Sequence, residues 1–178
     1  MASEPFVFVM APEQPQPEDV NVSTETKSPS STEPAKQRPV FLYGNLMLPN
    51  LLARLLFRDE TKTEDIKRRR FAGTLYGYKR RLVRGTDFPA IIPSDNQTDT
   101  VHGYLFYPES DKERRLLDAF EIESYVREEV KIVSVVTEDT GEVVQAQCFV
   151  WDGHLEDLCG TDWDFERFER NYGRICPC

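Results

Sequence analysis

Two short segments of this chain carry the groups that metal-free acyl chemistry needs. In Val40-Phe41-Leu42-Tyr43-Gly44-Asn45-Leu46-Met47 an apolar strand breaks at a glycine. There, successive backbone N–H groups can turn towards a carboxylate or a developing oxyanion. In Leu116-Leu117-Asp118-Ala119-Phe120-Glu121, followed by Tyr125-Val126-Arg127, a carboxylate ends an apolar helical stripe. The negative end of the helix dipole disfavours ionisation at that position, which suits a group that takes up and returns protons. A turn of donors and one such carboxylate suffice for acyl transfer without a cofactor.

Each of these residues also has a plainer reading. A single glutamate at a helix end is by default a solvated one, and Tyr43, an aromatic at a strand end, is as well suited to a core as to a pocket wall. Pro89 and Ala90 fit either an opposing wall or an ordinary turn. Glu123, Glu128 and Glu129 are nearby carboxylates with weaker claims. His102 and His154 have no partners at metal-ligand spacing, and the cysteines at 148, 159, 176 and 178 form no paired ligand pattern, so we expect neither metal nor cofactor. Trp151 and Trp163 read as packing residues.

The elements that must position the two segments follow from pattern. Ser110 with Glu113 is a capping box, and Leu116, Leu117 and Phe120 recur at helical spacing, which predicts a helix over 111–120 that delivers Glu121 at its C-terminus. Further helices are predicted over 50–57 and 164–172. Strands are predicted near 39–43, 70–77, 80–84, 89–92, 101–107, 125–137 and 142–150, the last two joined as a hairpin through Glu138-Asp139-Thr140-Gly141. Gly73 and Gly77 inside a strand suggest a bulge or sharp coil where a sheet curls towards a barrel. Residues 58–69 and 94–100 read as loops that close over the pocket.

Composition bounds the function. The 178 residues include 9 glycines, 12 prolines and 4 cysteines, with a formal net charge of -9. Residues 1–38 are rich in Pro, Ser and Glu and hold none of the glycines. Such a segment buries too little apolar surface to offset its ordering entropy, so a disordered tail is expected there and a single domain over 39–178. No stretch approaches a membrane span and no signal-peptide pattern precedes the domain, which points to a cytoplasmic protein. The basic residues Lys67 to Arg70, Lys79, Arg80, Arg81 and Arg84 form the one candidate polyanion patch. In an acidic chain they read as a solvated, charge-balancing face, and no nucleic-acid partner is expected.

Taken in order, Phe41-Leu42-Tyr43-Gly44-Asn45-Leu46-Met47, Gly85-Thr86-Asp87-Phe88-Pro89-Ala90-Ile91, Val101-His102-Gly103-Tyr104-Leu105, Leu117-Asp118-Ala119-Phe120-Glu121 and Tyr125-Val126-Arg127 resemble the gamma-glutamylcyclotransferase superfamily, in the branch of the plant avirulence-induced proteins. The resemblance spans nearly everything after the tail. It implies an α+β fold, a small mixed β-barrel with flanking helices. It also implies a substrate-binding loop at Tyr43, Gly44, Asn45, Leu46, Met47 and Leu48, a proton acceptor at Glu121 and a pocket residue at Tyr125. The implied reaction cyclises the γ-glutamyl group of a small amine, amino acid or peptide to 5-oxoproline. Two positions depart from the family pattern. Asn45 stands where many relatives have Thr or Ser, and Ile122 where many have Gly. These departures also admit a second reading, a catalytically silent binding or interaction module of the same fold.

Overall fold

Val40–Leu42 (β1) is apolar at every position because both of its faces are covered. A computed structural model of the chain describes residues 38–123 and 128–175, all within the unit Ala35–Cys178. The expected tail, apart from Arg38, lies outside the described residues. So do Tyr125 and the terminal Cys176-Pro177-Cys178.

β1 pairs antiparallel with Thr100–Phe106 (β5) and parallel with Val143–Trp151 (β7). Arg70–Tyr76 (β2) and Glu128–Thr137 (β6) complete a closed barrel of order β1-β5-β2-β6-β7. Tyr78–Val83 (β3), Pro89–Pro93 (β4) and Leu158–Asp162 (β8) form a separate sheet of order β4-β3-β8. The expected hairpin is present, with β6 and β7 in register from Glu128↔Trp151 to Val136↔Val143. Strand β8 is absent from the sequence reading; Leu-Cys-Gly-Thr-Asp is too short and too polar to carry a period-two signal.

Strand alternation divides the core in two. Phe41 and Tyr43 join Leu75, Val101, Leu105, Val133, Val135, Ala146, Cys148 and Val150 inside the barrel. Val40 and Leu42 face the other way, into a cluster with Leu46, Leu48, Leu52, Leu56, Ile66, Leu117 and Phe149 beneath the helices. Those helices are Pro49–Phe57 (α1), Thr63–Arg68 (α2), Asp111–Glu123 (α3) and Phe165–Ile175 (α4). α1 opens on Pro49, whose missing N–H costs nothing at a first turn, and ends at Arg58 with φ 55, whose N–H bonds back to Arg54. α2 occupies part of the expected loop 58–69. Its one fully buried residue, Ile66, is too little for a helical stripe in the sequence.

α3 is capped largely as expected. The Ser110 Oγ accepts the Glu113 N–H at 3.2 Å. The Glu113 carboxylate, however, takes the Glu109 N–H at 2.8 Å and pairs with Arg69, both side chains being nearly buried. Residue 94–100 forms its own turn, with Ser94 and Asn96 bonded to Asp99. Gly77 does turn the chain, at φ 75. Gly73 makes no bulge; it sits opposite Gly103 in unbroken register.

Gly103 shows what the barrel requires of β5. A Cβ there would lie 2.4 Å from the Leu42 carbonyl oxygen and 2.8 Å from the Phe41 ring. Only glycine lets β5 approach β1 this closely. We expect Gly103→Ala to destabilise the domain by about 1–3 kcal/mol through overpacking, read as a lower denaturation midpoint with an unchanged m-value.

Candidate functional site

Where β1 ends, the chain passes through Tyr43 and Gly44 into a 3-10 turn, Asn45–Met47. The Met47 N–H bonds to the Gly44 carbonyl at 2.9 Å, and the Leu48 N–H to the Asn45 carbonyl at 3.1 Å. Those two donors are therefore spent on the turn itself. The N–H groups of Gly44, Asn45 and Leu46, which precede the first closing bond of the turn, have no acceptor among the described residues. Successive main-chain donors left over at the start of a helical turn are suited to an anion.

The side chains of the loop do something different from its backbone. Leu46 and Leu48 are buried in the apolar cluster beneath the helices, and Tyr43 lies in the barrel interior. Any contact of Leu46 or Leu48 with a ligand would thus be made by main-chain atoms. Asn45 is 8% exposed, and its Oδ1 is buried without a hydrogen-bond partner among the described residues. Leaving a buried acceptor unmet costs about 1–3 kcal/mol, which a ligand bearing an N–H donor would relieve.

The loop is held from behind by two arginines. Arg80, on β3, donates through Nη1 to the Tyr43 carbonyl at 2.8 Å and to the His102 carbonyl at 3.2 Å. Its guanidinium lies 5.1 Å from the Trp163 ring centre. Arg70, at the start of β2, donates to the Met47 carbonyl and stacks 4.0 Å from the Tyr104 ring. Burial pulls both guanidiniums below their usual pKa range, with nearby Asp162 opposing the shift at Arg80. Trp163 is fixed in turn, its indole N–H bonding to the Asp87 carbonyl at 2.9 Å and its ring packing on Phe168 of α4.

These contacts revise the reading of the basic patch as a solvated face. Lys67, Arg68, Lys79 and Arg81 do pair with Glu64, Asp65, Asp99 and Asp162 at the surface. Arg69, Arg70 and Arg80 instead turn inward to backbone carbonyls or to Glu113. A signal was available for Arg80, which shares one strand face with Tyr78 and Leu82. A cation in line with apolar residues needs buried acceptors.

Pro89 does lie against the loop, at Gly44. A Cβ on Gly44 would stand 2.8 Å from the Pro89 Cγ. Gly44 has φ -123, so its requirement is space rather than an unusual backbone angle.

Glu121 falls in the last turn of α3, which runs three residues beyond the expected 111–120, through Ile122 to Glu123. Position 122 is thus helical, a conformation that a β-branched residue adopts. The Glu121 side chain, like Tyr125, lies outside the described residues. One turn earlier, Leu117 belongs to the same apolar cluster as Leu46 and Leu48, and Leu116 and Phe120 pack against it. The helix that carries the carboxylate and the loop that carries the donors therefore rest on one core. Asp118, also on α3, has a buried Oδ1 without a hydrogen-bond partner. Burial lowers the pKa of Arg114, four residues before it, and the Asp118 charge opposes that shift.

Fold and loop together define a small α+β barrel protein with a 3-10 turn at the end of its closing strand. The family model for gamma-glutamyl cyclotransferase, AIG2-like, matches residues 40–165, and the chain belongs to that family. It is 34% identical over 132 residues to AIG2-like protein D of Arabidopsis thaliana, covering 74% of this chain and 78% of that protein. Two solution structures of Arabidopsis thaliana proteins share the fold. One is 26% identical with a TM-score of 0.57, covering 82% of this chain and 89% of its own. The other is 28% identical with a TM-score of 0.55, covering 78% and 76%. No helix among the described residues is long and apolar enough to cross a membrane.

The contact at Gly44 is open to a direct check. Gly44→Ala is expected to cost about 1–3 kcal/mol of stability, and part of that cost, about 1 kcal/mol, should vanish in a Pro89→Ala background. A double-mutant cycle by chemical denaturation measures the coupling.

Proposed function

We propose that this protein is a gamma-glutamylcyclotransferase that converts a γ-glutamyl amine, amino acid or peptide to 5-oxoproline and the free amine. The observation that carries the reading is the row of N–H groups at Gly44, Asn45 and Leu46 that have no acceptor among the described residues, in a chain that belongs to this family.

The substrate's α-amine attacks its own γ-carbonyl carbon. A carbon–nitrogen bond forms, a tetrahedral oxyanion develops, and the bond to the leaving nitrogen breaks. Both reacting groups belong to one molecule, so the protein's task is to select the cyclisable conformer, hold the anionic oxygens and move protons. The loop N–H groups donate to the substrate carboxylate or the oxyanion. The buried Asn45 Oδ1 takes an N–H of the α-ammonium. Glu121 takes in turn the two protons that this nitrogen sheds on passing from ammonium to lactam N–H and hands them to the departing nitrogen, which leaves as an ammonium, so the net reaction consumes no water and no cofactor. Tyr125 contributes to the pocket wall. Met47 and Leu48 serve by closing the turn, not by donating to the ligand.

Incubating the full chain with a panel of γ-glutamyl compounds and measuring 5-oxoproline tests the reaction. Glu121→Gln is expected to lower turnover by about 10²–10⁴-fold with the fold intact. Full turnover by that variant would sink the assignment of Glu121. No turnover by the wild type, with saturable binding that depends on Gly44, would instead favour the silent binding module.

A further inference from the structure

Arg80 is an unusual choice for its place. Its donors go to the carbonyls of Tyr43 and His102, and no described carboxylate pairs with it. An aliphatic side chain would fill the space without the desolvation cost of a guanidinium. Something about the charge or the fork-shaped donor set is being used.

The peptide bond between Tyr43 and Gly44 shows what. A trans peptide is a rigid plate in which C=O and N–H point in opposite directions, and no described peptide bond in this chain is cis. Fixing the Tyr43 carbonyl therefore fixes the direction of the Gly44 N–H, a donor with no acceptor among the described residues. A charge-assisted hydrogen bond at the carbonyl end also polarises the plate, which strengthens the N–H as a donor at the other end. We infer that Arg80 is a positioning residue: its bond to the Tyr43 carbonyl aims and polarises the Gly44 N–H towards the anionic oxygens of the ligand.

The surroundings of Arg80 support this role. The guanidinium is held by the carbonyls of Tyr43, just past β1, and of His102 on β5, and it lies against the Trp163 ring. Trp163 is itself tied to the Asp87 carbonyl and to α4. The Met47 Sδ lies 3.7 Å from the same Nη1, so one nitrogen touches both ends of the loop. Arg70 supplies the comparison. It braces the Met47 carbonyl, whose plate carries the Leu48 N–H, and that donor is already spent on Asn45. Of the two braces, Arg80 is the one that acts on a donor with no acceptor among the described residues.

The kinetic consequence rests on the cyclotransferase reading above; the spectroscopic one does not. In the ¹⁵N-labelled full chain, Arg80→Met and Arg80→Lys are expected to shift the amide resonance of Gly44 while the thermal transition stays cooperative. On the best γ-glutamyl substrate, kcat should fall about 10–100-fold in Arg80→Met and less in Arg80→Lys, which keeps the charge without the fork, while KM stays within about threefold. Arg68→Met removes an exposed arginine paired with Asp65 and should change neither readout. If Arg80→Met does not fold, Arg80→Lys decides alone. An unmoved Gly44 resonance in a folded variant, or an undiminished kcat, overturns the inference. A moved resonance in a protein with no turnover keeps Arg80 as the aiming residue and removes the cyclotransferase reading.

Discussion

The closure of the barrel by β1 is the constraint on which the rest of this structure depends. A strand of three residues, Val40–Leu42, holds β5 on one side and β7 on the other. It has no length to spare, so it relies on close approach. Gly103 supplies that approach, and the apolar side chains on both faces of β1 tie the barrel interior to the cluster under the helices. Each fully buried aliphatic or aromatic side chain in these clusters contributes about 1.5–3 kcal/mol relative to exposure. The candidate site is built on the end of this closely packed strand.

That placement explains the chemistry available at the turn. A loop on a rigid strand keeps its main-chain donors in fixed directions, and preorganised donors stabilise developing charge without reorganising. Buried leucines pin the turn from below, Arg70 and Arg80 hold its carbonyls, and Pro89 presses on Gly44. The donors at Gly44, Asn45 and Leu46 are those that no acceptor among the described residues takes up. α3 reaches the same cluster through Leu117, so loop and helix share a support even though they are far apart in the chain.

Much of this architecture was legible in the residues. Period-two runs marked the β6–β7 hairpin, and Ser110 with Glu113 marked the start of α3. The elements that escaped have a common cause. α2 buries one residue and β8 is short and polar, so neither carries a periodic signal; both owe their form to the surfaces they pack on. The Glu113 carboxylate was legible as a capping group. Its pairing with Arg69, 44 residues away, was not.

The candidate site divides along the same line. The order of Tyr43-Gly44-Asn45-Leu46, Pro89-Ala90 and Leu117 to Glu121 along the chain was enough to specify the family, the barrel and the loop, because local sequence dictates where a strand must break and where a helix must carry its polar face. Which N–H groups stay free, which carbonyls are braced and which cations turn inward depended on tertiary contacts. Arg80 and Tyr43 are 37 residues apart and meet only when β3 packs against β5. A basic run reads the same on paper whether it meets solvent or a carbonyl, because a guanidinium's role is set by the acceptors that folding places within its reach.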